Sequence, residues 1–435
     1  MNDGSEAGTL GPETDGAESP TENSRDTALP AHRPLEGVLV VDLSRYLPGP
    51  LVGRLLADLG ARVVKVEEPT VGDPSRQAPP LVGGRSSLSA LLLAGHQSVA
   101  LDLRKPGAQE VLGELLEEAD VLVESYRPGV LAKWGFAPAE LRRRHPGLVI
   151  CSVTGWGQKG PHAHRAGHDL GYQAVAGSLA GSQGMPAVQV ADMVGGWSGA
   201  LAVTAALHRR QQTGDGCWID QALLDAAGHA NVTAWAAEAD GGKAVGESLP
   251  LTGALPCYDL YETADGGQVA LAALEPRFWQ KFCSAVGRRD LIPRQFSSQP
   301  EIRAQVVELM ASKTRGEWAT LFAEHDIPAE PVLSAAEARV HPQVEARNLL
   351  TKGPDKLLRL AYPALLDGER PRTEDPELAD LGADTDDLVE GLGLAGVLVG
   401  RRRKRSGVGR RFSLRAWAVG RLADWLAKRR NREQP

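Results

Sequence analysis

The tightest constraint on this chain is a strand, helix, strand cadence that begins near residue 38. Val38-Leu39-Val40-Val41-Asp42-Leu43 and Arg62-Val63-Val64-Lys65-Val66-Glu67 are dense in β-branched side chains, and residues 51–59 between them read as an apolar helix stopped by Gly60. Strands this apolar are covered on both faces, and a helix joining two of them demands a parallel, right-handed βαβ unit. Pro48-Gly49-Pro50 is expected to form the connecting turn, in place of the GxGxxG of a dinucleotide site.

The cadence repeats. Residues 98–103 and 120–124 read as strands, with Pro106 opening a helix between them at a position where a missing N–H is harmless. Residues 148–153 add a strand and residues 195–208 a helix rich in small side chains. Trp218-Ile219-Asp220 then reads as a strand before a long alanine-rich helix. The expectation is an α/β fold with a Rossmann-like parallel sheet in a large domain, residues 34–234. Asp265-Gly266-Gly267 separates the runs 257–262 and 268–274, a hairpin signal, so residues 235–335 are expected to form a smaller α+β domain. Residues 336–395 are expected to return and pack on the large domain.

Composition narrows the classes. Cys151, Cys217, Cys257 and Cys283 show no CxxC spacing, which argues against zinc and disulfide frameworks and for a reducing, cytoplasmic setting. Residues 1–33 hold seven acids and little to bury, so they are expected to be a disordered acidic leader rather than a signal peptide. No uninterrupted apolar run approaches the roughly 20 residues that a bilayer crossing needs.

The net charge of −7 conceals an asymmetry, because residues 401–435 carry 13 Lys and Arg against Asp424 and Glu433. Within the segment 396–435, Leu414, Ala418, Leu422, Trp425 and Leu426 recur at helical spacing among Arg415, Arg421 and Lys428, the pattern of a basic amphipathic tail. Such a tail packs on its own acidic body, or holds the protein at an anionic membrane surface; nucleic acid is the weaker fit.

Arg165-Ala166-Gly167-His168-Asp169-Leu170-Gly171-Tyr172 and Val190-Ala191-Asp192-Met193-Val194-Gly195-Gly196 place an imidazole and two carboxylates at expected helix starts. Asp169 and Asp192 can be plain N-caps. The same positions also suit proton transfer at a weakly acidic carbon. A helix N-terminus favours an ionised carboxylate and its free N–H groups can meet an enolate oxygen, while an imidazole titrates near neutrality. Glu275, in Leu274-Glu275-Pro276, is either a turn residue or a carboxylate that orients an imidazole.

Further motifs stand around these residues: Leu35-Glu36-Gly37, Ala57-Asp58-Leu59-Gly60-Ala61, Leu101-Asp102-Leu103-Arg104, Glu124-Ser125-Tyr126-Arg127-Pro128-Gly129 and Thr154-Gly155-Trp156-Gly157-Gln158-Lys159-Gly160-Pro161. Together with Pro48-Gly49-Pro50 they resemble the family III CoA-transferases over about residues 34–395, most of all the α-methylacyl-CoA racemases within that family. The resemblance implies an interlocked homodimer, an acyl-CoA substrate held where large and small domains meet, a role in lipid and fatty acid metabolism, and no metal or cofactor beyond the CoA of the substrate.

Racemases of the family carry His immediately before the Asp, as His168 precedes Asp169, and an acid in an Ala-x-Glu-Pro-like context, matched by Ala273-Leu274-Glu275-Pro276. The resemblance thus makes His168 and Asp192 proton carriers on opposite faces of the α-carbon, with Glu275 supporting His168, and C2 of a 2-methylacyl-CoA is inverted through an enolate. The alternative drawn from the same resemblance is a CoA-transferase in which Asp169 is the nucleophile and carries an acyl anhydride. A catalytically idle scaffold with a membrane-binding tail is the third reading. For the CoA phosphates the resemblance points to Arg104 and Lys133, then Arg62 and Arg127, each of which alone reads as a surface cation. Two departures stand out. Leu93-Ala94-Gly95-His96-Gln97-Ser98 replaces a stretch like Asn-Arg-Gly-Lys-Arg-Ser, and Gly171-Tyr172-Gln173-Ala174 replaces the more typical Asn-Tyr-Leu-Ala.

Overall fold

The computed structural model describes residues 33–180, 184–239, 250–371 and 376–394; the expected leader, but for Arg33, and the expected basic tail lie outside them. In chain order come β1 (Leu39–Asp42), α1 (Pro48–Asp58), β2 (Arg62–Glu67), β3 (Gln97–Ala100), α2 (Pro106–Glu118), β4 (Val121–Glu124) and β5 (Val149–Thr154). Helices α3 (Asp169–Val175) and α4 (Val190–Thr213) follow, and then β6 (Trp218–Ala222).

These strands form one six-stranded sheet in the order β3-β2-β1-β4-β5-β6, and every pairing in it is parallel. This is the doubly wound Rossmann order, which reverses between β1 and β4, and ligands of such sheets bind over the carboxyl ends of the strands. The β-branched runs serve both faces at once. Val40, Val63, Val121 and Val149 pack in one apolar cluster with α1 and α4, while Val41, Val64, Leu122 and Ile150 pack in a second with α2.

Three local expectations need correction. Pro48-Gly49-Pro50 is the first turn of α1 rather than a turn before it, because the N–H groups that proline lacks have no partner there anyway. Helix α4 starts at Val190, five residues earlier than the glycine pair suggested, and spans 24 residues. By length and composition it could cross a membrane, but Gly195, Gly196, Gly199, Val203 and Leu207 are buried where α4 packs on α1 and the sheet. The alanine-rich stretch is two short helices, α5 (Leu223–Ala230) and α6 (Val232–Ala239), separated at Asn231, whose amide donates to the Ala176 carbonyl at 3.1 Å.

A separate core lies further on. Strands β7 (Tyr258–Glu262) and β8 (Gln268–Ala272) form the hairpin, α7 (Pro276–Ala285) and α8 (Arg315–His325) cover it, and β9 (Ala329–Pro331) pairs with β8. Trp279, Phe282, Trp318 and Phe322 fill that core. The chain then returns to the large sheet through Leu357 and Leu378, and α9 (Thr385–Gly391) closes its exposed edge. The Ser98 N–H donates to Asp384 at 2.7 Å and the Ala100 N–H to Thr385 Oγ1 at 2.9 Å, so the outer amides of β3 are used up.

Charge is buried at the carboxyl ends of β1 and β2. Lys65, with a side chain 1% exposed, sets its Nζ 3.0 Å from Asp42 and 3.7 Å from Asp73, both fully enclosed. Removing the lysine strands two carboxylates. Lys65→Ala is expected to cost about 3–5 kcal/mol of stability. Urea unfolding measures this, and an unchanged midpoint would show that the carboxylates do not depend on the ammonium.

Candidate active site

The loop that leaves β5 wraps around Tyr172. A Cβ on Gly155 would stand 2.1 Å from the Tyr172 hydroxyl oxygen, and one on Gly167 2.6 Å from its ring, so both positions must be glycine for the ring to lie there. Trp156 meets the same ring edge-to-face at 4.9 Å and meets His162 at 5.2 Å. This packing fixes the start of α3.

His168 occupies the N-cap position of α3 with extended backbone, and its carbonyl accepts the Gly171 N–H at 2.8 Å. Its side chain is exposed and makes no capping bond, which leaves both ring nitrogens to the opening. Asp169, the first residue of the helix, points the other way and is 9% exposed. Its Oδ2 accepts from Gln173 Nε2 at 2.6 Å, and its Oδ1 accepts the backbone N–H of Asp192 at 3.1 Å.

That second bond joins the two helices. Gln189, the N-cap residue of α4, makes no side-chain cap bond, and the Asp169 carboxylate satisfies a first-turn amide in its place. Asp169 is therefore a cap, but for the neighbouring helix. Asp192 is no cap at all; it stands inside the first turn of α4. Burial, with the negative charge of Asp169 added to it, pushes the Asp192 carboxyl up to about 7. A helix start favours an ionised carboxylate, but desolvation beside a like charge outweighs that field here. Burial and the same two carboxylates also push the Tyr172 phenol up to about 12, against the opposing charge of Arg127.

The structure thus unites His168, Asp169 and Asp192, and Tyr172 beneath them. It does not unite them with Glu275. That residue precedes α7, is exposed, and among the described residues its carboxylate makes no hydrogen bond or ion pair, to His168 or to any other group. The Asp169 carboxylate is nearly enclosed and accepts one hydrogen bond at each oxygen, while among the described residues the half-buried Asp192 carboxylate makes none.

The four cations divide. Arg127 follows β4 and acts on Tyr172, while Lys133 is exposed just beyond it. Arg104 follows β3, with its side chain 71% exposed and paired to Asp102 at 2.7 Å. Arg62 opens β2 and donates to Gln97 at 2.6 Å. It therefore lies at the amino end of the sheet, about 20 Å of strand from the ligand-binding end, and is corrected out of the CoA site. His96, where the departure from the family pattern removes cations, is buried beside Asp42 and Gly53.

Sequence reading did not single out Glu124. It ends β4, accepts the Tyr126 N–H at 2.8 Å and bonds to Ser152; burial pushes it up to about 7 despite those bonds.

The chain is a doubly wound α/β fold in which a hydrogen bond joins Asp169 on α3 to the first turn of α4. The model of CoA-transferase family III matches residues 35–385, and the chain belongs to that family. It is 34% identical to human α-methylacyl-CoA racemase over 72% of this chain and 81% of that one. It is 30% identical to acetyl-CoA:oxalate CoA-transferase of Acetobacter aceti, over 73% and 86%. A solved CAIB/BAIF family protein from Brucella suis superposes with a TM-score of 0.73 at 28% identity, covering 83% of this chain and all of that one. Family members are enzymes, racemases or transferases, that are named for acyl-CoA substrates.

The site predicts a pH signature. An acid raised from 3.8 to about 7 on folding costs stability progressively across that interval and costs nothing below it, where both states are protonated. Asp192→Asn should therefore raise the melting temperature at pH 8 more than at pH 4. Equal shifts at the two pH values would mean that Asp192 is not a strained acid.

Proposed function

We propose that the protein inverts C2 of 2-methylacyl-CoA thioesters. The observation that carries this reading is the hydrogen bond tying Asp192 to Asp169, the residue next to His168, with the Asp192 carboxyl raised by burial and by that neighbouring charge. The Asp192 carboxyl, pushed up to about 7, can hold or release a proton near neutral pH, and His168, the residue before Asp169, is exposed. One group takes the α-proton, and the C–H electron pair moves into the thioester carbonyl as an enolate. The other group then delivers a proton to the opposite face. The positive end of α4 faces the developing charge. The thioester itself acidifies the carbon, and CoA enters as part of the substrate.

Glu275 would support His168 from a second copy of the chain in a homodimer, which fits its exposure and its lack of bonds within one chain. Arg127, Lys133 and Arg104 would meet the CoA phosphates at the carboxyl end of the sheet. CoA transfer is the activity named for the Acetobacter relative. Should it occur here, Asp169 would be the nucleophile that carries the acyl group as an anhydride. A cytoplasmic enzyme of branched lipid metabolism, held at anionic membrane by residues 401–435, completes the reading.

The test is incubation with (R)- and with (S)-2-methyldecanoyl-CoA in deuterated water. Deuterium should enter C2 and both epimers should appear, with losses of about 10²–10⁴-fold in His168→Ala and in Asp192→Asn. CoA passing to a free acid with no label at C2 would overturn the proposal. For the tail, full-length protein should sediment with anionic vesicles in low salt while a 1–395 truncation stays behind; equal sedimentation removes the membrane role.

A further inference from the structure

Gln173 has no part in the proton transfer just described, yet it is 3% exposed and directed at the site. A buried amide is costly unless its hydrogen bonds are made, and Gln173 spends its Nε2 on Asp169 Oδ2 at 2.6 Å, one helical turn back. Its backbone carbonyl accepts from Ser178 Oγ at 3.0 Å, which ties down the turn that carries it. Asp169 Oδ1 is held from the other side by the Asp192 amide at 3.1 Å. The carboxylate is therefore pinned at both oxygens, one by each helix.

We propose that Gln173 is a positioning residue that clamps the Asp169 carboxylate against the first turn of α4, and so sets how readily Asp192 takes up and releases its proton. The functional consequence rests on the proton-transfer reading, in which Asp192 is one of the two carriers. Without the Gln173 donor, Oδ2 of a nearly enclosed carboxylate has no partner in the protein, and the carboxyl turns toward water and away from Asp192. A like charge beside Asp192 then weakens, and Asp192 becomes a stronger acid.

Other groups on the elements around α4 do not substitute for this one. They are Tyr172 on α3, Arg54 and Asp58 on α1, Asp225 and His229 on α5, and Asp220 on β6, with His168 and Arg127 at the mouth. Arg54 and Asp58 are bound to each other at 3.0 Å, and Asp220 accepts the Gln158 N–H at 3.0 Å. Asp169 is the neighbour whose charge acts on Asp192.

The experiment follows the Asp192 carboxyl by carbon NMR in ¹³C-Asp-labelled free enzyme, assigned with Asp192→Asn, and in parallel the pH profile of C2 deuterium exchange. Gln173→Met keeps the bulk and removes the donor. It should lower the Asp192 titration by about one unit and carry the acid limb of exchange with it. Asp169→Asn should produce a similar shift, and the double variant no more than either alone. Gln173→Leu, likewise without a donor, stands in if the methionine variant does not fold and should shift the titration the same way. An unmoved titration in Gln173→Met or in its stand-in, or additive shifts in the double variant, would each overturn the clamp. Because the titration is read without substrate, absence of exchange in the wild type would refute the racemase reading alone.

Discussion

The Asp192 amide donating to Asp169 Oδ1 is the contact on which the site depends. A helix start leaves its first N–H groups without partners, and α4 has no side chain of its own that supplies one. The acceptor instead comes from α3, a separate helix on the same side of the sheet. One hydrogen bond thereby sets the spacing of two carboxylates, turns His168 to the outside, and brings Asp192 under a like charge in partial burial. Proton affinity here follows from capping geometry.

The sheet beneath explains why that geometry is stable. β1 and β4 are apolar until their last residues, Asp42 and Glu124, while β2, which also carries Arg62 and Lys65, ends on Glu67. Acids at these ends cannot reach bulk water, so each is answered locally: Asp42 by Lys65, Glu67 by Arg76 at 2.7 Å, and Glu124 by Ser152 and a backbone amide. Two of the three are neutralised by a cation and read as structure. Glu124 has only uncharged donors, and burial leaves its carboxyl raised to about 7.

Much of the large domain was legible because its central strands are buried on both faces, and continuous β-branched runs separated by helices have few other solutions. The hairpin at Asp265-Gly266-Gly267 was legible for a different reason, its turn chemistry. The start of α4 was misread because Gly195 and Gly196 look like a boundary, yet they lie mid-helix. There a Cβ would meet Leu223 at 2.3 Å or Leu51 at 2.6 Å, so glycine reflects a close helix contact that pattern alone does not reveal. The two prolines of α1 misled in the same way.

By itself the sequence determined that parallel strands alternate with helices, that His168, Asp169 and Asp192 stand at or beside helix starts, and that an acid closes β4. These are properties of local pattern, set by period, caps and breakers. Only the tertiary structure decided that Asp169 serves the neighbouring helix, that burial and a like charge raise Asp192, that Arg62 lies at the amino end of the sheet, and that Glu275 stands apart within one chain. Each of those depends on what a side chain meets across space, and burial and charge at a distance in sequence leave no trace in the order of residues.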